Sequence, residues 1–321
     1  MYEQTKSVAP LLHEPRRRDK KHSNNPSVFI CFLGSALKAA PIEPSMESEN
    51  EELGAPEQTV ESRRSRTGWL VHLLLLVLYP VVLGILGSLQ EGARVGTLLP
   101  DTVKGLLRMS VLELGIFALV FSAAWLASRS SPDALLLRWQ KGLRPITLGL
   151  AYSIGLRIGV GLLVAIVVVL ATAAGGSVEV VAEKVRPQTE VMVEAGALIG
   201  DPLYFGLMLT LVSFVLAGLR EELWRAGVLA GLTGLFPRQF SSTPRKFIAV
   251  ALAAIVFGLG HLPQGWGGVG LTASLGMGLG VIMVLHKSIW EAVFAHGFFN
   301  SASFAMLYVA AKYFPGKIPG F

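Results

Sequence analysis

Residues 145–174 read PITLGLAYSIGLRIGVGLLVAIVVVLATAA, thirty positions with a single charged side chain, Arg157. The hydrocarbon core of a bilayer is about 30 Å thick, and a helix needs about 20 apolar residues to cross it. The whole chain has the same character, since 52% of its 321 residues are hydrophobic and only 16% are charged. Soluble domains carry about 25% charged residues. The sequence therefore predicts an integral membrane protein.

Further apolar segments lie on both sides of this stretch. Lipid offers no partner to an open backbone hydrogen-bonding group, so each of them is expected to be helical. The seven predicted spans are residues 69–89, 109–128, 145–174, 203–230, 247–263, 269–286 and 289–311. The predicted fold is an all-α, polytopic transmembrane helix bundle of seven or eight spans within residues 67–321.

The first 66 residues differ in kind from the rest, with many Pro, Ser, Glu and Arg side chains. Such a segment cannot bury enough apolar surface to offset its ordering entropy, so residues 1–66 are expected to be disordered. One apolar stretch, VFICFLGSAL at 28–37, follows a basic run as in a signal peptide, yet it is too short to span a bilayer. A start of translation at Met46 is an alternative that would remove this stretch.

Basic residues concentrate at 63–66, 129–144 and 231–246, which share one side of the membrane in the seven-span arrangement. The loop at 175–202, on the other side, is acidic. Basic flanks usually face the cytoplasm, so the N-terminal segment is predicted to be cytoplasmic. The protein itself is predicted to lie in the plasma membrane or, if it is bacterial, in the inner membrane. These basic flanks on the cytoplasmic side explain the net charge of +6. With no nucleic-acid-binding module visible, the expected partners are the lipid bilayer and a membrane-associated peptide or protein, and not nucleic acid.

A cluster of polar side chains lies inside the last spans. A charge at the centre of a membrane helix costs about 2.5–3.5 kcal/mol on insertion scales, so charges that persist there are candidates for function. Three spans each present polar groups at helical spacing. The six candidate catalytic residues are Glu221, Glu222, Arg225, His261, His296 and Asn300.

These residue types match the needs of water attack on a carbonyl group. Glu221 and Arg225 are one helical turn apart and can pair. Two adjacent carboxylates in a low dielectric cannot both ionise cheaply, so a cation that holds one charged leaves the other free to act as a general base. His261 shares a helix face with Phe257, and His296 shares one with Asn300. Imidazole and amide groups can stabilise an oxyanion or orient water.

The expected chemistry requires no cofactor, although metal dependence stays open. Two Glu and two His side chains could hold Zn²⁺ with a free coordination position, whereas the neighbouring Arg225 disfavours a cation there. The sole cysteine, Cys31, excludes a disulfide framework and a multi-cysteine metal site.

Four other polar residues in the spans are expected to be structural. Glu113 and Arg157, in the second and third spans, are predicted to pair with each other. His72 and Glu291 are predicted to lie near the membrane interfaces, where a polar tip reaches water at low cost.

Three short motifs resemble a known family signature in their order and in their distribution over helices. They are EELWR at 221–225, FGLGH at 257–261 and HGFFN at 296–300. The chain resembles the CAAX prenyl protease and bacteriocin-processing family of intramembrane glutamic endopeptidases, over residues 200–311.

The resemblance implies an intramembrane endopeptidase of membrane-associated peptides, including prenylated CAAX-type proteins. It implies that Glu221 activates the water with help from His261, and that Glu222 and Arg225 position this motif. His296 and Asn300 would stabilise the oxyanion. The alternative is a non-enzymatic membrane scaffold, such as a bacteriocin-immunity or transporter-like protein, that uses the same polar cluster without cleaving a peptide.

Overall fold

The structure, a computed structural model, describes residues 57–89, 97–240 and 242–314. Every regular element in this part of the chain is helical, which confirms the predicted all-α class. The α-helices are α1 Glu57–Leu89, α2 Val103–Ser128, α3 Arg144–Ala173, α4 Val178–Val185, α5 Ala195–Gly200, α6 Pro202–Leu207, α7 Glu221–Leu235, α8 Pro237–Phe240, α9 Thr243–Leu259, α10 Gly265–His286 and α11 Trp290–Tyr313. Two short 3-10 turns, Thr189–Val191 and Leu262–Gln264, and a π-helix, Met208–Arg220, complete the set.

Six stretches in the described part of the chain are long and apolar enough to cross a membrane. They are Arg66–Leu83, Val103–Ser128, Arg144–Ala173, Pro202–Leu235, Leu262–His286 and Trp290–Tyr313. The predicted span at 247–263 corresponds to α9, which has 17 residues and falls short of this length. Its outer face is nonetheless apolar, because Ile248, Leu252 and Ile255 are exposed. Six spans and one shorter helix thus replace the seven predicted spans.

Helix α1 begins before the predicted membrane domain. Residues 57–66 fall within the segment that was predicted to be disordered, and they form the first turns of this helix. Their composition permits this, since Glu, Gln and Arg are good helix formers. The apolar stretch at 28–37 and the alternative start at Met46 lie outside the described residues.

The π-helix joins α6 to α7 within one continuous span, Pro202–Leu235. The Ser213 hydroxyl donates to the Met208 carbonyl at 2.7 Å, five residues earlier, which is the spacing of a π-helix. Asp201 caps the start of this span, because its carboxylate accepts hydrogen bonds from the backbone N–H groups of Leu203 and Tyr204. Stretches of π-helix frequently occur at functional sites, and this one ends immediately before Glu221.

Helix α11 packs closely against the π-helix at two glycines. A β-carbon at Gly218 would lie 2.9 Å from the Val293 carbonyl oxygen, and one at Gly297 would overlap the Phe214 ring. Small residues allow helix backbones to approach closely in lipid. This contact fixes the separation between the beginning of α7 and the middle of α11, where most of the candidate residues lie.

Candidate active site

Glu222 and Arg225 form a fully buried ion pair on α7, with no exposed side-chain surface on either residue. The two residues are three positions apart and both point into the helix bundle. The predicted pairing of Glu221 with Arg225 is therefore wrong. Glu221 points to a different neighbour, because adjacent residues lie about 100° apart around a helix.

Glu221 belongs to a second set of ion pairs, which connects it to α2. Its Oε1 accepts a hydrogen bond from Arg220 Nη2 at 3.1 Å. Arg220 Nη1 donates to Glu113 Oε2 at 2.6 Å, and Arg220 Nε donates to the Leu216 carbonyl at 3.0 Å. Arg220 thus holds Glu221 in place, and its own position is set by Glu113.

Arg157 does not pair with Glu113, which corrects a further prediction. Its Nη2 donates to the Phe299 carbonyl at 2.6 Å and to the Ser303 hydroxyl at 3.3 Å. The guanidinium also lies 4.5 Å from the centre of the Phe299 ring. Arg157 therefore ties α3 to α11, and Arg220 takes the role of cation for Glu113.

His296 lies between the two carboxylates of the EELWR motif. Its Nδ1 is 2.9 Å from Glu222 Oε1, and its Nε2 is 3.8 Å from Glu221 Oε2. The ring is almost fully buried, whereas 19% of the Glu221 side chain is exposed. Glu221 is thus the carboxylate that a substrate can reach, and Glu222 is the one that holds the imidazole.

Phe257 on α9 completes the wall of this cluster. The Arg225 guanidinium carbon lies 4.5 Å above its ring centre, a cation–π contact that partly compensates a buried charge. The ring also lies 6.3 Å from the His296 ring and 4.8 Å from the His261 ring, centre to centre. Phe257 therefore connects His261 to the rest of the cluster.

His261 lies two residues after the end of α9 and not within the helix, as had been predicted. Its Nδ1 is 3.0 Å from the Phe257 carbonyl oxygen, so the contact expected between these two residues does form. A carbonyl only accepts, so Nδ1 carries the hydrogen and Nε2 is an acceptor in the neutral ring.

Asn300 lies one helical turn beyond His296 on α11 and is partly buried. Its side-chain amide forms no hydrogen bond with a residue in the described part of the chain. Direct contacts thus unite Glu221, Glu222, Arg225 and His296. Phe257 links His261 to them, and Asn300 stands next to them on the same helix face as His296.

Sequence reasoning missed the role of Arg220. The signal was present, because LREELWR carries an arginine immediately before the two glutamates within an apolar span. Two other residues are more buried than predicted, since His72 and Glu291 both have no exposed surface. His72 is held by the carbonyl oxygens of Ala124 and Gly227, each at 2.9 Å.

No group of three or more His, Cys, Asp or Glu side chains converges as metal ligands would within the described ranges. In the cluster, Glu222 is engaged by Arg225 and by His296, and Arg220 engages Glu221.

Residues 203–302 match the family model described as Rce1-like, type II CAAX prenyl endopeptidase. This segment is an Rce1-like domain. It begins in α6, ends in α11 and contains all six candidate residues. No curated protein and no solved structure matches the chain.

The Rce1-like domain and the six apolar helices together identify an integral, multi-pass membrane protein. The family is one of peptidases, which supports hydrolase activity over a purely structural role. The cytoplasmic location of the N-terminus stays a prediction.

Proposed function

We propose that the protein is an intramembrane endopeptidase that hydrolyses peptide bonds of membrane-associated peptides or proteins, with Glu221 as the base that activates water. The observation that carries this proposal is the position of the His296 ring, between buried Glu222 and accessible Glu221. A general base needs a partner that fixes its geometry and leaves its protonation free to change.

The formal charges of the cluster do not balance. Three carboxylates, on Glu113, Glu221 and Glu222, face two guanidinium groups, on Arg220 and Arg225. With a neutral His296, one negative charge has no counter-charge. When Glu221 accepts a proton from the attacking water as a general base, the formal charge of the cluster becomes zero.

The tautomer of His296 determines how the water is held. A carboxylate only accepts, so His296 Nδ1 donates to Glu222 and its neutral Nε2 is an acceptor directed toward Glu221. The 3.8 Å between Nε2 and Glu221 Oε2 is too long for a direct hydrogen bond, and a single water can bridge such a separation. That water donates one hydrogen to each acceptor and directs a lone pair at the substrate carbonyl.

In the proposed reaction the water oxygen bonds to the carbonyl carbon as Glu221 takes a proton. The tetrahedral intermediate carries the negative charge on the former carbonyl oxygen, and the Asn300 amide is its proposed donor. Collapse breaks the carbon–nitrogen bond, and Glu221 returns its proton to the leaving nitrogen. Relative to the family resemblance, His296 takes the water-orienting role given to His261, because the His296 ring is the one that reaches Glu221.

The substrate class follows from where the cluster lies. Five of the six candidate residues belong to spans, and His261 lies between the end of α9 and the next span, so we expect the scissile bond to be presented at membrane depth. The description of the matched family names prenyl endopeptidases, and a prenylated C-terminal CAAX peptide is accordingly the first substrate to test.

The test uses the purified full-length protein in lipid nanodiscs and an internally quenched, farnesylated CAAX peptide. Wild-type protein is expected to cleave the peptide, and Glu221→Gln is expected to lose activity by about 10²–10⁴-fold, the usual contribution of general acid–base catalysis. Glu179→Gln is the matched control, because Glu179 is exposed on α4, outside the cluster.

Equal rates for wild type and Glu221→Gln would overturn the mechanism. Saturable binding of the peptide without any cleavage, by wild type as well, would instead support the scaffold alternative.

A further inference from the structure

A groove of about 330 Å³ opens between α3 and α10, away from the glutamate cluster. Tyr152 and Leu163 mark its two ends on α3. These residues are eleven positions apart, which corresponds to about 16 Å of helix at 1.5 Å per residue. One leaflet contributes about half of a hydrocarbon core of about 30 Å. The groove is thus as long as one leaflet is deep.

Two glycines of α3 form the floor of the groove. Gly155 and Gly159 are exposed, and a β-carbon at either position would meet no atom within 4 Å. Glycines in membrane helices usually allow a neighbouring helix to approach, as Gly218 does here. Gly155 and Gly159 face open space instead, so their effect is to deepen the groove.

One end of the groove is polar and tightly organised. The Tyr152 hydroxyl is hydrogen-bonded to His286 Nε2 at 2.7 Å, and the Gln140 amide donates to the His286 carbonyl at 3.3 Å. These bonds join α3 and the loop before it to the last turn of α10. Trp139 and Trp290 pack edge to face at the same end, with ring centres 5.1 Å apart. Tryptophan is enriched at the level of lipid headgroups.

Three cations lie close in sequence to the residues of this polar end. Lys141 follows Gln140, Arg144 opens α3 and Lys287 follows His286, and all three are exposed. None forms a salt bridge with a residue that the structure describes, in contrast to Arg138 in the same loop, which pairs with Asp133 at 3.1 Å. Basic pockets between membrane helices at headgroup level attract anionic lipids.

We propose that this groove binds one acyl chain of an anionic glycerophospholipid, whose phosphate lies against Lys141, Arg144 and Lys287. Three observations agree: the length of one leaflet, an open glycine floor and unpaired cations at the end where the tryptophans mark the headgroups. One wall, α3, lies outside the segment that matches the peptidase family. None of the residues that line the groove belongs to the glutamate cluster, and the existence of the site does not depend on proteolytic activity.

The test measures lipid retention by native mass spectrometry, after purification from nanodiscs that contain equal amounts of phosphatidylglycerol and phosphatidylcholine. Wild-type protein is expected to retain one phosphatidylglycerol. Gly159→Leu fills the floor and is expected to lower its occupancy at least tenfold. Lys141→Gln combined with Lys287→Gln is expected to abolish the preference for phosphatidylglycerol over phosphatidylcholine.

Gly161→Leu is the matched control. Gly161 is on the same helix, and its β-carbon position is equally open, but it does not line the groove. The melting temperatures of the two leucine variants are compared to verify that both fold. Equal lipid retention by Gly159→Leu and Gly161→Leu overturns the proposal, as does equal retention of the two lipids by wild type. Displacement of the lipid by one equivalent of farnesylated peptide would assign the groove to the substrate instead.

Discussion

Arg225 forms its ion pair with Glu222, three residues before it, while Glu221, four residues before it, is held by Arg220. The two adjacent glutamates thus have separate cations and separate surroundings. Glu222 is fully buried and engaged on both oxygens, and Glu221 keeps an oxygen that faces His296. This division underlies the assignment of Glu221 as the base and of Glu222 as the residue that positions His296.

Glu222→Gln is expected to destabilise the protein and to inactivate it. The change leaves the Arg225 charge buried without a counter-ion, which typically costs about 3–5 kcal/mol. The measurement is thermal unfolding in detergent, followed by helical circular dichroism. Combining it with Arg225→Met should restore most of the stability, because it removes the buried charge that the first change leaves unpaired, while activity stays absent. Recovery of activity in the double variant would contradict the positioning role of Glu222.

Glu113→Gln is expected to lower kcat by about tenfold, because it loosens Arg220 without removing Glu221. This loss is smaller than the one expected when the general base itself is removed. Peptide KM should stay close to that of wild type. Adding Glu113→Gln to Glu221→Gln should have no further effect, because residues that act as one unit are not additive. A purely structural salt bridge predicts a different result for Glu113→Gln, a lower melting temperature with unchanged kcat.

Phe257→Leu is expected to reduce both stability and activity. It removes a cation–π contact with buried Arg225, worth about 0.5–2 kcal/mol, and it removes the ring that connects His261 to His296. Phe236→Leu, at the exposed end of α7, is the control in a rate and unfolding assay. Wild-type rates for Phe257→Leu would show that the Phe257 ring does not help to position His296 for the reaction.

Gly218→Ala is expected to destabilise the contact between the π-helix and α11 by about 1–3 kcal/mol. Its β-carbon would lie 2.9 Å from the Val293 carbonyl and 3.2 Å from the Ser213 carbonyl, and backbone atoms cannot move aside cheaply. Gly206→Ala is the paired control, because nothing lies within 4 Å of that position. Equal melting temperatures for the two variants would show that helix contact at Gly218 is less close than described.

The sequence was sufficient for the helical class and for the membrane setting, because apolar length is a local signal. Intramembrane charge singled out six polar residues, and four of them are in direct contact in the structure. The sequence did not predict which acidic and basic side chains form ion pairs. Spacing alone allows Arg225 to reach Glu221 or Glu222, and only the helix rotation set by packing decides between them. Glu113 was likewise given the wrong partner, since nothing in the sequence states which of two distant arginines faces it.

The end of α9 was also misplaced. An apolar run continues from Phe257 through Leu262, so hydropathy alone extends the span over His261. Gly258 and Gly260 weaken the helix there, and Pro263 disfavours helical backbone at the residue before it. The chain accordingly leaves the α-helix after Leu259.

The length of the π-helix between Met208 and Arg220 matters for function as well as the identity of its residues. Each residue advances an α-helix by about 100° around its axis, so losing one position in this segment would turn Glu221 away from Arg220 and His296. Apolar substitutions along the same segment leave that direction unchanged. Among homologous sequences, this segment should therefore vary freely in its apolar side chains while it keeps a constant length.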